Sequence, residues 1–377
     1  MSIRQFDILS AAFGIPVRRR SLRSLPPPLR SLGSLRSLES LGNGGADKLE
    51  IAAFLTIIQR FSFLRGLKMW LQGIVLIVSL LVLAWSADRF VDGSCGLARV
   101  LGVSPFLIGM LIVGFGTSAP EMLVSAVSAF EGSPDIALGN AYGSNITNVL
   151  LILGVAAIVN PIEVDFSVVK KELPFLAGTL LLTLFLILDG FISRINAITM
   201  LVLFIPIMVI SSLGKKEETS EEDSDKKDSL PKSIFWIIFG LALLVGSSRA
   251  LVWAAKDIAL ALGVSELIIG LTIVALGTSL PELAASVSAA RKNEHGVAFG
   301  NVVGSNLFNT MCVVGIAGTI TPITVDPKIL TRDLPATAIV TLFLFIFGIR
   351  RKIDRVSGVL LVAIYIVYSA LLAFKVV

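Results

Sequence analysis

Long apolar stretches, separated by short polar ones, follow one another from Trp70 almost to the C-terminus. A stretch of about 18 to 20 apolar residues is long enough for an α-helix to cross the hydrocarbon core of a bilayer. Breaks at charged residues, glycine or proline give ten such windows: 70–87, 97–129, 136–159, 172–189, 195–213, 233–253, 258–290, 296–318, 333–349 and 356–375. The pattern predicts an all-α polytopic membrane protein with ten transmembrane helices.

Two of these windows, 97–129 and 258–290, are too long for one straight helix. Each contains the sequence Gly-Thr-Ser-x-Pro-Glu. The proline removes a backbone hydrogen bond and clashes with the preceding turn. We therefore expect helices 2 and 7 to be broken at this motif.

An internal repeat includes both of these motifs. A shift of 161 positions aligns Leu101–Asp165 with Leu262–Asp326 without a gap, and about 28 of the 65 aligned residues are identical. GTSAPE aligns with GTSLPE, and GNAYGSNITN aligns with GNVVGSNLFN. Each repeat unit contains five spans, an odd number, so the second unit must enter the membrane inverted relative to the first. The alignment predicts two inverted five-helix repeats that meet near the membrane midplane.

The repeats define the predicted domain organisation. The first repeat covers residues 67–213, a cytoplasmic linker covers 214–232, and the second repeat covers 233–377. Residues 1–66 form a low-complexity extension rich in Ser, Leu, Arg and Pro, a composition that cannot fold alone. The extension is disordered, a targeting peptide or sequence upstream of a true start at Met69, and we favour the last of these.

The distribution of Lys and Arg predicts the orientation in the membrane. Loops after odd-numbered spans carry about 15 of these residues and loops on the other side about eight. Because positively charged loops stay in the cytoplasm, we expect the linker there and both termini outside. The basic N-terminal extension conflicts with an external N-terminus, which is a second reason to question residues 1–66.

Composition excludes several other classes of protein. The 377-residue chain is 55% hydrophobic and 16% charged, which differs from the composition of soluble enzymes. Two cysteines 217 positions apart and a single histidine provide neither a disulfide framework nor a His/Cys metal site. The net charge is +5, but the basic residues lie between apolar segments, so the charge does not indicate nucleic-acid binding.

The two motifs place glutamates, Glu121 and Glu282, inside the broken helices. A carboxylate at the centre of a membrane-spanning helix costs about 2.5–3.5 kcal/mol on insertion scales. No Lys or Arg lies close to either glutamate in the sequence. The remaining partner is a bound cation or a proton, and protonated glutamates packed between helices are the purely structural alternative.

Residues that carry oxygen atoms surround both glutamates in the sequence. They are Thr117, Ser118, Ser144 and Asn148 in the first repeat, and Thr278, Ser279, Ser305 and Asn309 in the second. The helix breaks free main-chain carbonyls, and the C-terminal ends of half-helices direct negative dipole ends towards a cation. Oxygen ligands without Cys or His favour Na⁺, Ca²⁺ or Mg²⁺, and a flexible site with six to eight oxygens favours Ca²⁺ over Mg²⁺.

The paired GTSxPE and GNxxGSNxxN segments, the ten spans and the short charged linker resemble the sodium/calcium exchanger family of the cation/Ca²⁺ antiporter superfamily, especially its compact prokaryotic members. The resemblance implies a secondary active transporter, not an enzyme, that exchanges Na⁺ for Ca²⁺ by alternating access with Ca²⁺ efflux. A Ca²⁺/H⁺ antiporter is the nearest alternative, followed by a cation channel. An intramembrane hydrolase is disfavoured because Ser118 and Ser279 have no His partner.

The resemblance also implies roles for single residues. Glu121 and Glu282 would be the central ligands shared by Ca²⁺ and Na⁺. Hydroxyl ligands would come from Ser118, Ser144, Ser279 and Ser305, and main-chain carbonyl ligands from Thr117 and Thr278. The carbonyls of Gly114 and Ala275 would hold outer Na⁺ ions, and Asn148 and Asn309 occupy the last motif position. Potassium-dependent relatives characteristically have Asp in place of Asn309, so this residue favours potassium independence. No cofactor is implied, and the expected partners are Ca²⁺, Na⁺ and the lipid bilayer, with no nucleic acid and a monomer as the simplest assembly.

Overall fold

The computed structural model describes residues 45–212, 229–263 and 275–373, with side chains for 69–212, 229–263 and 276–372. The chain divides into two units, Met1–Leu71 and Gln72–Val377. Residues 45–71 of the first unit are helical, so the predicted boundary at residue 66 does not coincide with a break in the secondary structure. All contacts described below lie within the second unit.

The described residues up to 212 form helices and two very short strands. They are α1 (Gly45–Leu101), α2 (Pro105–Ile108), α3 (Gly114–Thr117), α4 (Ala119–Phe130), α5 (Asp135–Thr147), α6 (Leu153–Val159), β1 (Ile162–Glu163), α7 (Phe166–Lys170), α8 (Glu172–Ile187), β2 (Phe191–Ile192) and α9 (Arg194–Ser212). Turns of π-helix occupy Gly109–Val113, before α3, and Asn148–Ile152, after α5.

The described residues from 229 onward follow a similar order, with a π-helical turn in the place of α7. They form α10 (Leu230–Ala261), α11 (Ala275–Thr278), α12 (Leu280–Arg291), α13 (His295–Leu307), α14 (Val314–Ile320), β3 (Ile323–Thr324), α15 (Leu334–Arg350), β4 (Lys352–Ile353) and α16 (Arg355–Ala373). Turns of π-helix occupy Phe308–Val313, after α13, and Ile329–Asp333, before α15.

Seven helical segments of the described chain are long and apolar enough to cross a membrane, and the bent pair Pro105–Thr117 and Ala119–Phe130 makes eight. The seven are Met69–Leu101, Asp135–Val159, Arg194–Ser212, Leu230–Ala261, His295–Ile320, Ile329–Arg350 and Arg355–Leu372. Helix α8 has only 16 residues, and residues 264–274 of the predicted seventh span lie outside the described residues. These helices are those of an integral membrane protein, whereas the count of ten spans stays a prediction.

The first helix is longer than the window predicted from apolar residues. Helix α1 continues past residue 87 to Leu101, through Asp88, Arg89 and Asp92. Tertiary partners satisfy these charges: the Nζ atom of Lys292 lies 2.6 Å from Asp92 Oδ1, and the Arg89 guanidinium lies over the Trp236 ring. Charged residues therefore do not end this helix, because a neighbouring helix compensates them.

The breaks at the GTSxPE motifs lie where the sequence predicts them. Helix α3 ends at Thr117, α4 begins at Ala119, and the two segments are bent by 41°. In the second repeat, α11 ends at Thr278 and α12 begins at Leu280, which is the equivalent position. Both breaks thus place the serine of the motif between two helices.

Glycines let the π-helical turn before α3 pack directly against α13. A Cβ atom on Gly300 would lie 2.3 Å from the main-chain oxygen of Phe106, and one on Gly304 would lie 2.3 Å from that of Met110. A Cβ atom on Gly109 would lie 2.6 Å from the main-chain oxygen of Val297. Any larger residue requires the backbones to move apart, so these glycines bring the second span against the helix that carries the GNxxGSN block.

Helices α1 and α10 pack side by side along most of their apolar length. Gln72 Nε2 donates a hydrogen bond to Asp257 Oδ2 at 2.9 Å. A Cβ atom on Gly240 would lie 2.8 Å from the backbone nitrogen of Phe90. Because low residue numbers in α1 face high numbers in α10, the two helices run antiparallel.

Two pairs of short strands join the halves of the molecule. Strand β1 pairs antiparallel with β4, with Ile162 opposite Ile353, and β2 pairs antiparallel with β3, with Ile192 opposite Ile323. Ile162 and Ile323 are separated by the repeat distance of 161, and so are Ile192 and Ile353. The same pairing is therefore made twice, with the roles of the repeats exchanged.

Candidate functional site

The two predicted glutamates lie just after the helix breaks, in the first turns of α4 and α12. Glu121 is 1% exposed and Glu282 is 2% exposed. The Ser118 hydroxyl donates a hydrogen bond to Glu282 Oε1 at 3.1 Å, and the Ser279 hydroxyl donates to Glu121 Oε1 at 3.5 Å. Each carboxylate is thus contacted by the helix break of the other repeat.

The threonines of the motif also lie near the glutamate of the other repeat. Thr117 lies near Glu282, and Thr278 lies near Glu121. The Thr117 hydroxyl also donates to the main-chain oxygen of Val113 at 3.0 Å and lies 3.1 Å from Asn301 Oδ1. Four of the predicted site residues therefore surround the glutamates directly with hydroxyl groups.

Within the described residues, neither glutamate forms an ion pair. Acids that pair with basic side chains there include Asp92, Glu294, Asp333 and Asp354. The Oε2 atoms of Glu121 and Glu282 have no hydrogen-bond partner in the described part of the chain. The two carboxylates also interact electrostatically with each other. Two buried acids in this arrangement need a cation or a proton to neutralise them.

The remaining predicted oxygen donors are buried on α5, on α13 and at the π-helical turns that follow. Ser144, Ser305, Asn148 and Asn309 are each at most 6% exposed. Within the described residues, Asn148 Oδ1 and both polar atoms of the Asn309 side chain have no partner. These amides are therefore available to a ligand.

The two residues predicted to hold outer ions through their carbonyls differ in what the structure describes. The Gly114 carbonyl accepts a hydrogen bond from the Ser305 hydroxyl at 3.5 Å, which places it against the second repeat. Ala275 is the first residue of α11. Its side chain lies outside the described part of the chain, and its role stays a prediction.

The donor set contains few acids. Among the described residues there is no group of three or more His, Cys, Asp or Glu side chains that could hold a metal ion. The candidate site therefore consists of two carboxylates complemented by hydroxyl, amide and main-chain oxygens. Such a set is typical of Na⁺ and Ca²⁺ and not of zinc or copper.

Two asparagines that the sequence analysis did not select contact the helices of the glutamates. Asn140 Nδ2 donates to the main-chain oxygen of Glu121 at 3.3 Å and to Ser125 Oγ at 3.0 Å. Asn301 makes the corresponding bonds to Glu282 at 3.2 Å and Ser286 at 2.8 Å. The signal was present, because each asparagine is the second residue of the repeated GNxxGSNxxN block.

A second missed group connects the amides of the two repeats. Asn148 Nδ2 donates to Asn306 Oδ1 at 3.0 Å, and Asn145 Nδ2 donates to Thr310 Oγ1 at 2.9 Å. The bond to Asn306 occupies the amide nitrogen of Asn148 and leaves its oxygen free. An oxygen that is free in this way is suited to a cation.

The sequence profile of the family described as sodium/calcium exchanger protein matches the chain twice, at residues 71–213 and 232–374. The chain belongs to the sodium/calcium exchanger family. Both matched segments include one GTSxPE and one GNxxGSNxxN block, so the resemblance inferred from these motifs is confirmed. As a member of this antiporter family, with Na⁺ and Ca²⁺ as the family's transported ions, the exchanger is a membrane transporter and not an enzyme.

Named relatives agree with this family. CaxA of Alkalimonas amylolytica, named as a candidate antiporter, is 40% identical over 316 residues, which cover 81% of this chain and 99% of CaxA. The sodium/calcium exchanger MaX1 of Methanosarcina acetivorans is 30% identical, covering 80% of this chain and 98% of MaX1. A solved structure of the sodium-calcium exchanger NCX_Mj is similar with a TM-score of 0.72 at 35% identity, covering 80% of this exchanger and 99% of that chain.

Proposed function

We propose that this exchanger transports Na⁺ and Ca²⁺ in opposite directions by alternating access, and that the two ions compete for Glu121 and Glu282. The observation that carries the proposal is the pair of buried carboxylates, one from each repeat, each contacted by a serine of the other. The names of MaX1 and NCX_Mj support Na⁺ and Ca²⁺ as the exchanged ions.

The ligand supply around the glutamates is suited to Ca²⁺. A calcium ion takes six to eight oxygens at about 2.3–2.6 Å in flexible geometry. The free Oε2 atoms of both glutamates and the free amide oxygens of Asn148 and Asn309 provide four within the described residues. The hydroxyls of Ser144 and Ser305 and the carbonyls freed by the helix breaks supply the remainder. Two carboxylates balance one Ca²⁺ or two Na⁺.

Neutralisation of the carboxylates is what couples the two ions. Two empty, charged carboxylates resist enclosure in a site without water, because desolvation of unpaired charge is costly. A bound Ca²⁺ or bound Na⁺ ions remove this cost, so the site changes sides only when it is loaded. Each Na⁺ that moves down a tenfold gradient supplies about 1.4 kcal/mol, and each net charge moved contributes about 2.3 kcal/mol per 100 mV.

The exchanged contacts favour two inverted repeats around this site. The hydroxyl-to-carboxylate bonds and the strand pairs are each made twice, with the roles of the two halves exchanged, and helices α1 and α10 pack antiparallel. A pseudo-twofold axis in the membrane plane produces this arrangement, and it gives the site the same surroundings on both sides. We place the linker in the cytoplasm and both termini outside an inner membrane, and an inwardly directed Na⁺ gradient would then drive Ca²⁺ outward.

Ion-gradient-driven uptake of ⁴⁵Ca²⁺ into proteoliposomes tests the proposal. An outwardly directed Na⁺ gradient should drive uptake by the natural protein. Glu121→Gln and Glu282→Gln should each abolish it, because each removes a charge that balances Ca²⁺. Glu163→Gln is the matched control, since Glu163 is exposed at the end of β1, and it should transport normally.

Four outcomes contradict the proposal, or a part of it, in different ways. Uptake driven by a pH gradient without Na⁺ would identify a Ca²⁺/H⁺ antiporter that uses the same carboxylates. A Ca²⁺ conductance that does not saturate with Ca²⁺ concentration would identify a channel. Full Na⁺-driven activity in both glutamine variants would show that the glutamates are not the shared ligands. A dependence on added K⁺ would overturn the potassium independence that Asn309 favours.

A further inference from the structure

We infer that Asn140 and Asn301 are positioning residues of the transport site, which fix the rotation of the half-helices that carry Glu121 and Glu282. The inference rests on the proposed function, because it concerns how the same glutamates are held. Neither asparagine donates to a carboxylate in the described residues. Each binds instead the backbone of the helix on which a glutamate lies.

The two asparagines make the same pair of contacts in the two repeats. Each side-chain amide donates to the main-chain oxygen of a glutamate 19 residues before it and to a serine hydroxyl 15 residues before it. The serines are Ser125 and Ser286, which lie one helical turn after the glutamates. Four donor–acceptor distances between 2.8 and 3.3 Å reproduce one arrangement twice.

The half-helices need an external attachment because they are short and start at a break. Helices α4 and α12 have 12 residues each, and a proline in the first turn of each lacks a backbone N–H group. Rotation of such a segment by one residue changes the direction of its side chains by about 100°. An amide that bridges two positions one turn apart, on one face, fixes that rotation and thereby the direction of the carboxylate.

Asn301 has an additional role between the repeats. Its Oδ1 atom lies 3.1 Å from the Thr117 hydroxyl, while its Nδ2 atom donates to the main-chain oxygen of Glu282 at 3.2 Å. Thr117 directly precedes Ser118, which donates to Glu282. Asn301 therefore holds both the half-helix of Glu282 and the break that contacts this carboxylate. Its removal should be more costly than that of Asn140.

Transport kinetics of alanine variants test the inference. Asn140→Ala should raise the KM for Ca²⁺ about tenfold, as expected for loss of a hydrogen bond that contributes about 1.4 kcal/mol. Asn301→Ala should raise it further. Both should change the maximal rate by less than about twofold, because the carboxylates themselves remain. The measurement is ⁴⁵Ca²⁺ uptake into proteoliposomes as a function of Ca²⁺ concentration, under whichever ion gradient drives the natural protein.

Asn196→Ala is the matched control for a purely structural effect. Asn196 Nδ2 donates to the main-chain oxygen of Leu186 at 2.9 Å, which is the same chemistry outside the site. This variant should lower the melting temperature in detergent without changing the KM for Ca²⁺. Equal increases in KM for Asn196→Ala and Asn140→Ala would overturn the inference, because they would show a general loss of packing.

A double-mutant cycle distinguishes positioning from any other local effect. Asn140 and Ser279 act on the same carboxylate, Glu121, so Asn140→Ala and Ser279→Ala should be non-additive in KM. Asn140→Ala and Ser118→Ala act on different carboxylates and should be additive. Additivity in both cycles, or an unchanged KM in Asn140→Ala, overturns the inference alone. Absence of any Ca²⁺ transport by the natural protein would instead overturn the proposed function.

Discussion

At the scale of single residues, the two serines of the helix breaks contact the glutamates at different distances. Ser118 Oγ lies 3.1 Å from Glu282 Oε1, whereas Ser279 Oγ lies 3.5 Å from Glu121 Oε1. A hydrogen bond to a charged acceptor contributes about 1.5–3 kcal/mol, and its contribution falls steeply as the distance increases. The two repeats are therefore equivalent in chemistry but not in strength of contact.

This difference gives a prediction for serine variants. Ser118→Ala should raise the KM for Ca²⁺ about tenfold, and Ser279→Ala should raise it less, because the weaker bond is lost. The measurement is the Ca²⁺ dependence of Na⁺-driven uptake in proteoliposomes. Ser212→Ala is the control, since Ser212 is exposed and its hydroxyl donates to the Val209 main-chain oxygen of its own helix. A larger effect for Ser279→Ala would contradict the geometric argument.

Asn309 allows a test of charge in the site. Both polar atoms of its side chain are unpaired among the described residues, and the residue is fully buried. Asn309→Asp adds a negative charge, which attracts a divalent ion more than a monovalent one, so the KM for Ca²⁺ should fall about threefold to tenfold. Competition of Na⁺ with ⁴⁵Ca²⁺ binding measures the change, with Asn196→Asp as control. An unchanged KM would place Asn309 outside the site.

The glutamates and the serines and threonines near them could be selected from the sequence, because polar residues that recur in both copies of an apolar repeat are costly unless they have a use. The orientation of an asparagine side-chain amide could not be predicted from the sequence. Asn148 uses its nitrogen for Asn306 and leaves its oxygen free, and this choice depends on a helix 158 positions away. Asn140 was missed for the same reason, since its partners are backbone and hydroxyl groups on another helix.

At the scale of elements, the helix breaks were predictable and the helix ends were not. Proline disrupts a helix through its own covalent structure, so the GTSxPE motif locates the breaks without knowledge of the fold. The π-helical turn at Gly109–Val113 has no such local signal, and it appears where α13 packs against it. The end of α1 was misplaced because Lys292, on another helix, compensates Asp92.

The contact between α13 and the π-helical turn gives a prediction for a glycine variant. In Gly304→Ala the added Cβ would lie 2.3 Å from the Met110 oxygen. The backbones must separate, which should cost about 1–3 kcal/mol of stability and lower the melting temperature in detergent.

Gly178→Ala serves as the control for this glycine variant. Gly178 also lies inside a helix, but no described atom lies within 4 Å of the added Cβ. Alanine is the better helix former, so this variant should be as stable as the natural protein or slightly more stable. Equal melting temperatures for Gly304→Ala and Gly178→Ala would show that the contact tolerates expansion.

At the scale of the whole molecule, family membership could be predicted because the repeat is long and carries rare polar blocks twice. The number of spans and the orientation depend on less specific signals, namely segment length and loop charge. The predicted ends of α1 and α10 show the weakness of length alone, since both helices extend beyond their apolar windows. Orientation therefore requires its own measurement.

Thiol labelling tests the predicted orientation. Ser220→Cys introduces a thiol into the predicted cytoplasmic linker, while the natural Cys95 and Cys312 are only 4% and 9% exposed. A membrane-impermeant maleimide should label this variant in inside-out vesicles and not in right-side-out vesicles. Detergent-solubilised protein, labelled in parallel, measures full accessibility. Labelling from the outside alone would reverse the predicted topology.

The contacts that the two halves exchange limit how the sequence of each half can change. Each half supplies the serine hydroxyl that contacts the glutamate of the other half, and one strand of each pair of short strands. A substitution at one of these positions therefore alters the contacts of a residue in the other half, so the two copies of these motifs cannot change independently. The motif residues that make these hydroxyl-to-carboxylate contacts, one serine and one glutamate in each half, are accordingly the same in both copies.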